Sequence, residues 1–254
     1  MIENTFKRGL EAGIPQIGLW ISLCSGFAAD AVADIGYDWL LMDMEHAPNE
    51  VQVVLQQFQA AQPYGSTALV RPMWNDPVVV KRLLDLGAPG VLFPMVQTVA
   101  EAESAVAACR YPPKGTRGVS ISQRGNRFGR DQDYFAQVEH QTCVLVQAET
   151  LEALDRVEEI AAVDGVDGVF FGPADIAASM GKMGQIKDPE LWDRIFAAAR
   201  KVQAIGKPVG TLVGGAEQAK QVLDEGFLFV AVGSDLRLLV RGAERLLADV
   251  KAGP

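Results

Sequence analysis

Two carboxylates lie where they could share one hard metal ion. Glu149 follows the apolar run 143–148, and Asp175 follows the run 168–171. Carboxylate oxygens are ligands that small divalent cations favour, and two of them leave positions for water and substrate. Each acid also has a structural interpretation, as a helix cap or as a first-turn residue favoured by the helix dipole. Together they predict a site for Mg²⁺, Mn²⁺ or Co²⁺.

Polar and turn residues accompany both acids. Gln147 is two residues before Glu149 on the same run, so both side chains would point to one face of a strand. Gly172, Pro173 and Ala174 precede a helix start, where backbone N–H groups suit a carboxylate or phosphate. Gly-Pro alone indicates only a turn, and its proximity to the second acid strengthens the interpretation. We expect the substrate to contact Gln147, Gly172, Pro173 and Ala174.

A histidine and an arginine end two other apolar runs. His46, one of two histidines, follows Asp43 and Glu45, and an imidazole can act as a base at neutral pH. Arg71 closes the run 67–71, and its permanent charge could stabilise a developing oxyanion or bind a carboxylate. The structural alternatives are a core histidine and a salt bridge from Arg71 to Glu149 or Asp43. We expect His46 and Arg71 to be catalytic.

Eight short apolar runs, separated by amphipathic stretches, must position these residues. Unbroken apolar runs of this length are typical of buried parallel strands. The predicted strands are 17–22, 39–44, 67–71, 90–95, 143–148, 168–171, 208–212 and 227–232, and the predicted helices are 27–35, 49–62, 77–86, 100–109, 151–161, 189–205, 216–223 and 236–251. Eight such units in series predict an α/β fold, a (β/α)₈ TIM barrel in a single domain spanning 1–254.

An open doubly wound sheet is the alternative fold, although no GxGxxG follows the first run. In a barrel, the carboxyl ends of all strands meet at one rim, so the polar residues described above would converge. The insertion 111–141 is rich in Pro, Gly, Arg and Gln and lacks periodicity, which is typical of a functional or a disordered loop. The helix 236–251 is apolar enough to pack on a second subunit.

Composition excludes several other classes of protein. The formal net charge is −9, from 23 basic and 32 acidic residues, which disfavours nucleic-acid binding. No apolar run reaches the roughly 18 residues of a membrane helix, and the first residues lack a signal-peptide core. Three scattered cysteines argue against a disulfide scaffold or a thiolate zinc site. We therefore expect a cytoplasmic protein without membrane contact.

Five motifs, in this order along nearly the whole chain, resemble the HpcH/HpaI aldolase family. They are DMEH at 43–46, VRP at 70–72, VQAET at 146–150, GVFFGPAD at 168–175 and FVAVG at 229–233. The most similar members are the 4-hydroxy-2-oxoheptanedioate and 2-dehydro-3-deoxyglucarate aldolases. The resemblance implies a TIM barrel, a divalent metal ion, and reversible cleavage of a 4-hydroxy-2-oxo acid to pyruvate and an aldehyde. It also implies a hexamer, a trimer of dimers with swapped C-terminal helices.

The resemblance also assigns roles to individual residues. It implies that His46 is the base, with its basicity raised by Asp85, and that Arg71 stabilises the transition state. It also implies that Glu149 and Asp175 bind the metal. Contacts to the substrate or its metal shell are assigned to Gln147, Ala174 and Asp175. From the residues alone, Asp85 would pass as a surface acid at a helix end. The segment 120–129 departs from the family pattern. The family's aldehyde specificity is therefore the property that is least secure to carry over to this chain. The alternatives are an acyl-CoA lyase of the same barrel type and a barrel that only binds keto acids.

Overall fold

Eight parallel strands form a closed barrel in the computed structural model, which describes residues 3–252. Each strand pairs with the next along the chain, and the eighth pairs with the first. This confirms the predicted (β/α)₈ barrel, and the open-sheet alternative is wrong. The strands are β1 (Gln16–Ile21), β2 (Trp39–Asp43), β3 (Thr67–Arg71), β4 (Gly90–Phe93), β5 (Cys143–Ala148), β6 (Gly168–Phe171), β7 (Val209–Leu212) and β8 (Phe229–Ser234).

Helices cover the outside of the barrel. They are α1 (Thr5–Glu11), α2 (Gly26–Ala33), α3 (Val51–Ala61), α4 (Pro77–Asp85), α5 (Val99–Cys109), α6 (Tyr134–Gln141), α7 (Leu151–Asp155), α8 (Val157–Ala161), α9 (Pro173–Ser179), α10 (Pro189–Ala204), α11 (Ala216–Asp224) and α12 (Asp235–Lys251). The single helix predicted at 151–161 is two helices that meet at Arg156. Helix α6 lies in the insertion that was predicted to lack periodic structure.

Helix α1, which was not predicted, closes the bottom of the barrel. Its buried residues are Phe6 and Leu10, one turn apart on the same helix face. The ring of Phe6 packs edge-on against Trp39 and Phe229, with centroid distances of 5.8 and 6.0 Å. The barrel is therefore plugged by aromatic side chains at the end where the strands begin.

Inward-pointing side chains fill the barrel axis and lead directly to the polar rim. The interior cluster includes Leu41 of β2, Leu69 of β3 and Leu145 of β5. Because side chains alternate along a strand, the residue two positions later on each strand also points inward. Those residues are Asp43, Arg71 and Gln147. The apolar interior therefore gives way to a polar layer at the carboxyl ends of the strands.

The insertion is anchored by a buried arginine. The Arg117 side chain is fully buried and stacks on the Tyr111 ring at 4.5 Å. Its Nη2 donates to Asp85 Oδ1 at 2.8 Å and to the Tyr134 hydroxyl at 3.1 Å. Arg124 donates to the Leu86 carbonyl at 2.6 Å. The insertion is thus packed against the C-terminal end of α4.

Helix α12 is fixed at its first residue and exposed after it. Asp235 is buried, and its carboxylate accepts from the backbone N–H groups of Ser22 and Leu23 at 2.8 and 3.2 Å. Every residue from 236 to 252 is exposed. The uncovered apolar side chains are Leu236, Leu238, Leu239, Val240, Leu246, Leu247 and Val250. Within the part of the chain that the structure describes, no helix combines the length and apolarity needed to cross a membrane.

Candidate active site

The ends of β2 and β3 carry a paired aspartate and arginine. These strands pair with Asp43 opposite Arg71. Arg71 Nε donates to Asp43 Oδ1 at 2.9 Å, and Nη2 donates to Oδ2 at 2.9 Å. Such a bidentate salt bridge is among the stronger and more directional hydrogen-bonded contacts in proteins. The Asp43 salt bridge, one of the two alternatives that the sequence left open, is therefore present.

The remaining guanidinium nitrogen faces the middle of the rim. Arg71 Nη1 lies 2.8 Å from Glu45 Oε2 and 3.5 Å from Gln147 Oε1. The guanidinium carbon is 5.2 Å from the centre of the Trp20 ring. The arginine is only 5% exposed, so its cation is held in one orientation before any ligand arrives. This preorganisation is what electrostatic stabilisation of a developing anion requires.

Glu149 is a buried carboxylate held by two hydrogen bonds. It is 1% exposed, its Oε1 accepts from the Met95 N–H at 2.7 Å, and its Oε2 accepts from Gln147 Nε2. A Cβ at Gly172 would lie 2.6 Å from Glu149 Oε2 and 3.2 Å from Gln147 Nε2. Any side chain at residue 172 would therefore displace Glu149, which gives Gly172 a steric role that its turn signal did not reveal.

Glu45, Glu149 and Asp175 lie close enough at this rim to influence one another's ionisation. Burial raises the pKa of Glu149 to about 7, an effect opposed by the Met95 N–H and increased by the charges of Asp175 and Glu45. Burial likewise raises the pKa of Glu45, while the Arg71 cation lowers it. Burial disfavours the charged form of a carboxylate, and nearby like charges do the same. Excess negative charge is therefore concentrated at one point of the rim.

The donors present fit a divalent cation. Asp175 is exposed, and within residues 3–252 no hydrogen bond or ion pair engages its carboxylate. Among the same residues no cluster of three or more His, Cys, Asp or Glu side chains forms a protein-only metal site. Glu149 and Asp175 would therefore supply two ligands, and water or substrate the others, as is usual for Mg²⁺. A cation here would also relieve the repulsion among the three acids.

His46 lies at the same rim but outside the buried layer. Its side chain is 66% exposed, and its Nε2 is 3.9 Å from Glu45 Oε2. The turn that carries it is organised by Asp43, whose Oδ1 accepts from the backbone N–H groups of Glu45 and His46 at 3.0 and 3.4 Å. Asp43 thus orients both the histidine turn and Arg71, a double role that the sequence did not indicate.

Asp85 makes no hydrogen bond or ion pair with His46 within the described part of this chain. It is the last residue of α4, and barrel helices run back towards the end where the strands begin. Its carboxylate is engaged by Arg117 instead. The expected effect of Asp85 on the basicity of His46 therefore stays a prediction, and it would require the Asp85 of another subunit.

A cavity of about 250 Å³ opens beside the rim. It is lined by Trp20, Ser22, Asp43, Arg71, Pro173, Ala174, Ile186, Trp192, Leu212, Val213, Gly214, Gln218, Gly233, Ser234 and Arg237. Pro173 and Ala174, which were predicted to contact substrate, are among these residues. A larger cavity of about 460 Å³ is lined by residues at the opposite end of the barrel, including Lys7 and Asp167. These two side chains form an ion pair at 3.0 Å. Active sites of this fold lie at the carboxyl ends of the strands, so we assign the smaller cavity to the chemistry.

An acidic rim with a fixed guanidinium lies at this end of a (β/α)₈ barrel, and its donor set fits a divalent cation beside a small anion. Residues 16–242 match the family described as HpcH/HpaI aldolase/citrate lyase. The chain belongs to this family, and it is a carbon–carbon lyase, as the curated relatives at 52% identity are named aldolases.

Two curated relatives illustrate the similarity. The 4-hydroxy-2-oxo-heptane-1,7-dioate aldolases of Klebsiella pneumoniae and Salmonella paratyphi B are each 52% identical over 248 residues, which is 97% of this chain and 94% of theirs. A solved HpcH/HpaI aldolase/citrate lyase family protein from Burkholderia cenocepacia superposes with a TM-score of 0.94 at 38% identity, covering 98% of this chain and 99% of that one. An HpcH/HpaI aldolase from Desulfitobacterium hafniense has a TM-score of 0.90 at 26% identity, over 98% and 97% of the two chains.

Proposed function

We propose that the chain cleaves a 4-hydroxy-2-oxo dicarboxylic acid reversibly to pyruvate and an aldehyde, with a divalent ion held by Glu149 and Asp175. The observation that carries the proposal is the rim itself, where a buried and an exposed carboxylate meet beside a preorganised guanidinium. The names of the curated relatives point to the same reaction. Mg²⁺, Mn²⁺ and Co²⁺ are the candidate ions.

Each residue has a distinct task in the cleavage direction. The bound ion would act as a Lewis acid towards the keto acid. His46 accepts the proton of the 4-hydroxyl group, the C3–C4 bond breaks, and the aldehyde leaves. The electron pair of that bond becomes the enolate of pyruvate, and Arg71 stabilises the charge on its C2 oxygen. Gln147 and the turn at 172–174 orient the carboxylate, and the proton that His46 accepted is then returned to C3.

Detection of pyruvate tests this proposal directly. The protein is incubated with 4-hydroxy-2-oxoheptanedioate and Mn²⁺, and pyruvate is measured with lactate dehydrogenase and NADH. We expect pyruvate release that stops on chelation. Cleavage of an acyl-CoA ester without pyruvate release would favour the acyl-CoA lyase alternative. Two solved proteins that are named as a citrate lyase and a citrate lyase beta subunit are each 17% identical to this chain, so their similarity supports the fold alone.

Arg71→Lys separates an enolate role from a purely structural one. Lysine keeps the charge but loses the planar fork that holds both Asp43 oxygens. If Arg71 stabilises the enolate, deuterium exchange at pyruvate C3 and aldol cleavage should fall together by at least about tenfold. If Arg71 is only a salt-bridge residue, the variant should lose melting temperature and keep both reactions. All three quantities are measured on one preparation.

The exposed face of α12 supports a homo-oligomer, and the family resemblance suggests a hexamer. A contiguous apolar face of this kind is unusual on a monomer. In such an assembly, Asp85 of one subunit could approach His46 of another. The size of the particles in solution tests whether the chain assembles. We expect Leu239→Glu combined with Leu246→Glu to yield smaller particles by light scattering, while Glu244→Gln on the same helix should not. A wild-type monomer would contradict the proposal.

The expectations of a cytoplasmic location and of no nucleic-acid partner stay predictions. The substrate partners that the site supports are a small 2-keto acid and an aldehyde.

A further inference from the structure

The cavity beside the rim is lined by polar groups from two separate parts of the chain. The first group is Arg71 and Asp43, next to the proposed reacting centre. The second group is Gly214, Gln218 and Arg237, from the segments that follow β7 and β8. The lining also includes the apolar side chains of Trp20, Trp192 and Leu212. A ligand that fills this cavity would therefore meet apolar walls and two polar groups.

Arg237 is the unpaired cation of this cavity. Ser234 Oγ accepts from its backbone N–H at 3.2 Å, which places it in the first turn of α12. Its guanidinium lies over Gly214, since a Cβ built there would be 3.6 Å from both Nη atoms. Among the described residues, no carboxylate lies within 4.0 Å of this guanidinium, and no hydrogen bond engages it. Arg71, by contrast, is already held by Asp43 and Glu45.

The substrate proposed above ends in a group that such a cation would bind. Cleavage of the C3–C4 bond of a 4-hydroxy-2-oxoheptanedioate produces pyruvate from C1–C3 and a four-carbon aldehyde from C4–C7. That aldehyde has a terminal carboxylate, separated from the reacting carbon by two methylene groups. Methylenes suit the apolar walls of the cavity, and a guanidinium offers a carboxylate two parallel N–H donors.

We propose that Arg237 is a specificity-determining residue that binds the terminal carboxylate of the aldehyde half of the substrate. This inference rests on the proposed function, because it takes the reacting carbons to lie beside Arg71. Gly214 is part of the arrangement, since a side chain there would contact the guanidinium. The enzyme therefore prefers aldehydes with a terminal carboxylate over neutral aldehydes of the same length.

Equilibrium binding of two unreactive analogues tests the assignment. 2-Oxoheptanedioate and 2-oxoheptanoate lack the 4-hydroxyl group and cannot be cleaved, and they differ only in the distal carboxylate. By calorimetry with Mn²⁺ present, Arg237→Gln should weaken binding of the diacid by about 2- to 10-fold, the range expected for a charge-assisted hydrogen bond at an exposed site. Binding of the monoacid should not change. Arg237→Lys should restore part of the difference.

Arg241→Gln is the matched control, because Arg241 lies one turn further along α12, is exposed and does not line the cavity. Equal losses for the two analogues, no loss for the diacid, or an equal effect of Arg241→Gln would each overturn the assignment. Failure of the proposed function would appear elsewhere, as absent pyruvate release by the wild type. The diacid preference and its loss in Arg237→Gln would still be measurable in that case.

Discussion

Glu149→Gln should eliminate divalent-metal binding and lower aldol cleavage on the order of 10³-fold, because a Lewis-acid metal contributes several kcal/mol to transition-state stabilisation. Glutamine preserves the shape of the side chain and removes its charge. The melting temperature should change little, because the relief of a buried charge among like charges opposes the loss of one of the two hydrogen bonds that Glu149 accepts. Calorimetric titration with Mn²⁺ and the pyruvate assay measure the two effects.

Glu152→Gln is the control for this variant. Glu152 is an acid of the neighbouring helix α7 whose side chain is 63% exposed. Its replacement should leave metal affinity and turnover unchanged. If Glu149→Gln bound Mn²⁺ and turned over substrate like the wild type, Glu149 would have no place in the metal site.

His46→Ala should lower turnover by about 10²–10⁴-fold, the usual effect of losing a general base. Metal affinity should remain near the wild-type value, because His46 is not one of the proposed ligands. The melting temperature should also stay at the wild-type value, since a side chain that is 66% exposed leaves no cavity when it is truncated. Steady-state kinetics, calorimetry and thermal unfolding on the same preparation give all three values.

The second histidine provides the control. His140 lines the larger cavity, together with residues from the opposite end of the barrel, so His140→Ala should retain full turnover. A His46→Ala variant with normal turnover would instead point to Glu45 as the base. The pKa of Glu45 is raised by burial, which would make it a better proton acceptor than an ordinary surface glutamate.

The strands and the rim residues could be predicted because their pattern is local. Short apolar runs indicate buried parallel strands wherever they occur. Arg71 and Gln147 continue the inward alternation that begins with Leu69 and Leu145, so their direction follows from spacing alone. Glu149, just beyond the end of β5, extends the same alternation, and the structure places its carboxylate at the predicted rim.

Other features depend on contacts between distant parts of the chain. The pairing of Asp43 with Arg71 follows from the register of β2 and β3, which no residue pattern specifies. Helix α1 is short, and the structural role of its Phe6 depends on the aromatic side chains that it contacts inside the barrel. The steric need for Gly172 arises from Glu149, twenty-three residues earlier. Burial of Arg117 against Asp85 likewise joins an insertion to a helix that precedes it.

A metal ion bound by Glu149 and Asp175 should allow this chain to make the enolate of pyruvate. Proton NMR of pyruvate in D₂O measures that step alone, because exchange at C3 requires no aldehyde. With protein stripped of metal by chelation, we expect the methyl signal to persist, and added Mg²⁺ should make it decay. Mn²⁺ or Co²⁺ can be tested in the same way, with pyruvate re-isolated before measurement. Equally fast exchange in the metal-free protein, with no response to any of the three ions, would show that this chain makes the enolate without a metal at Glu149 and Asp175.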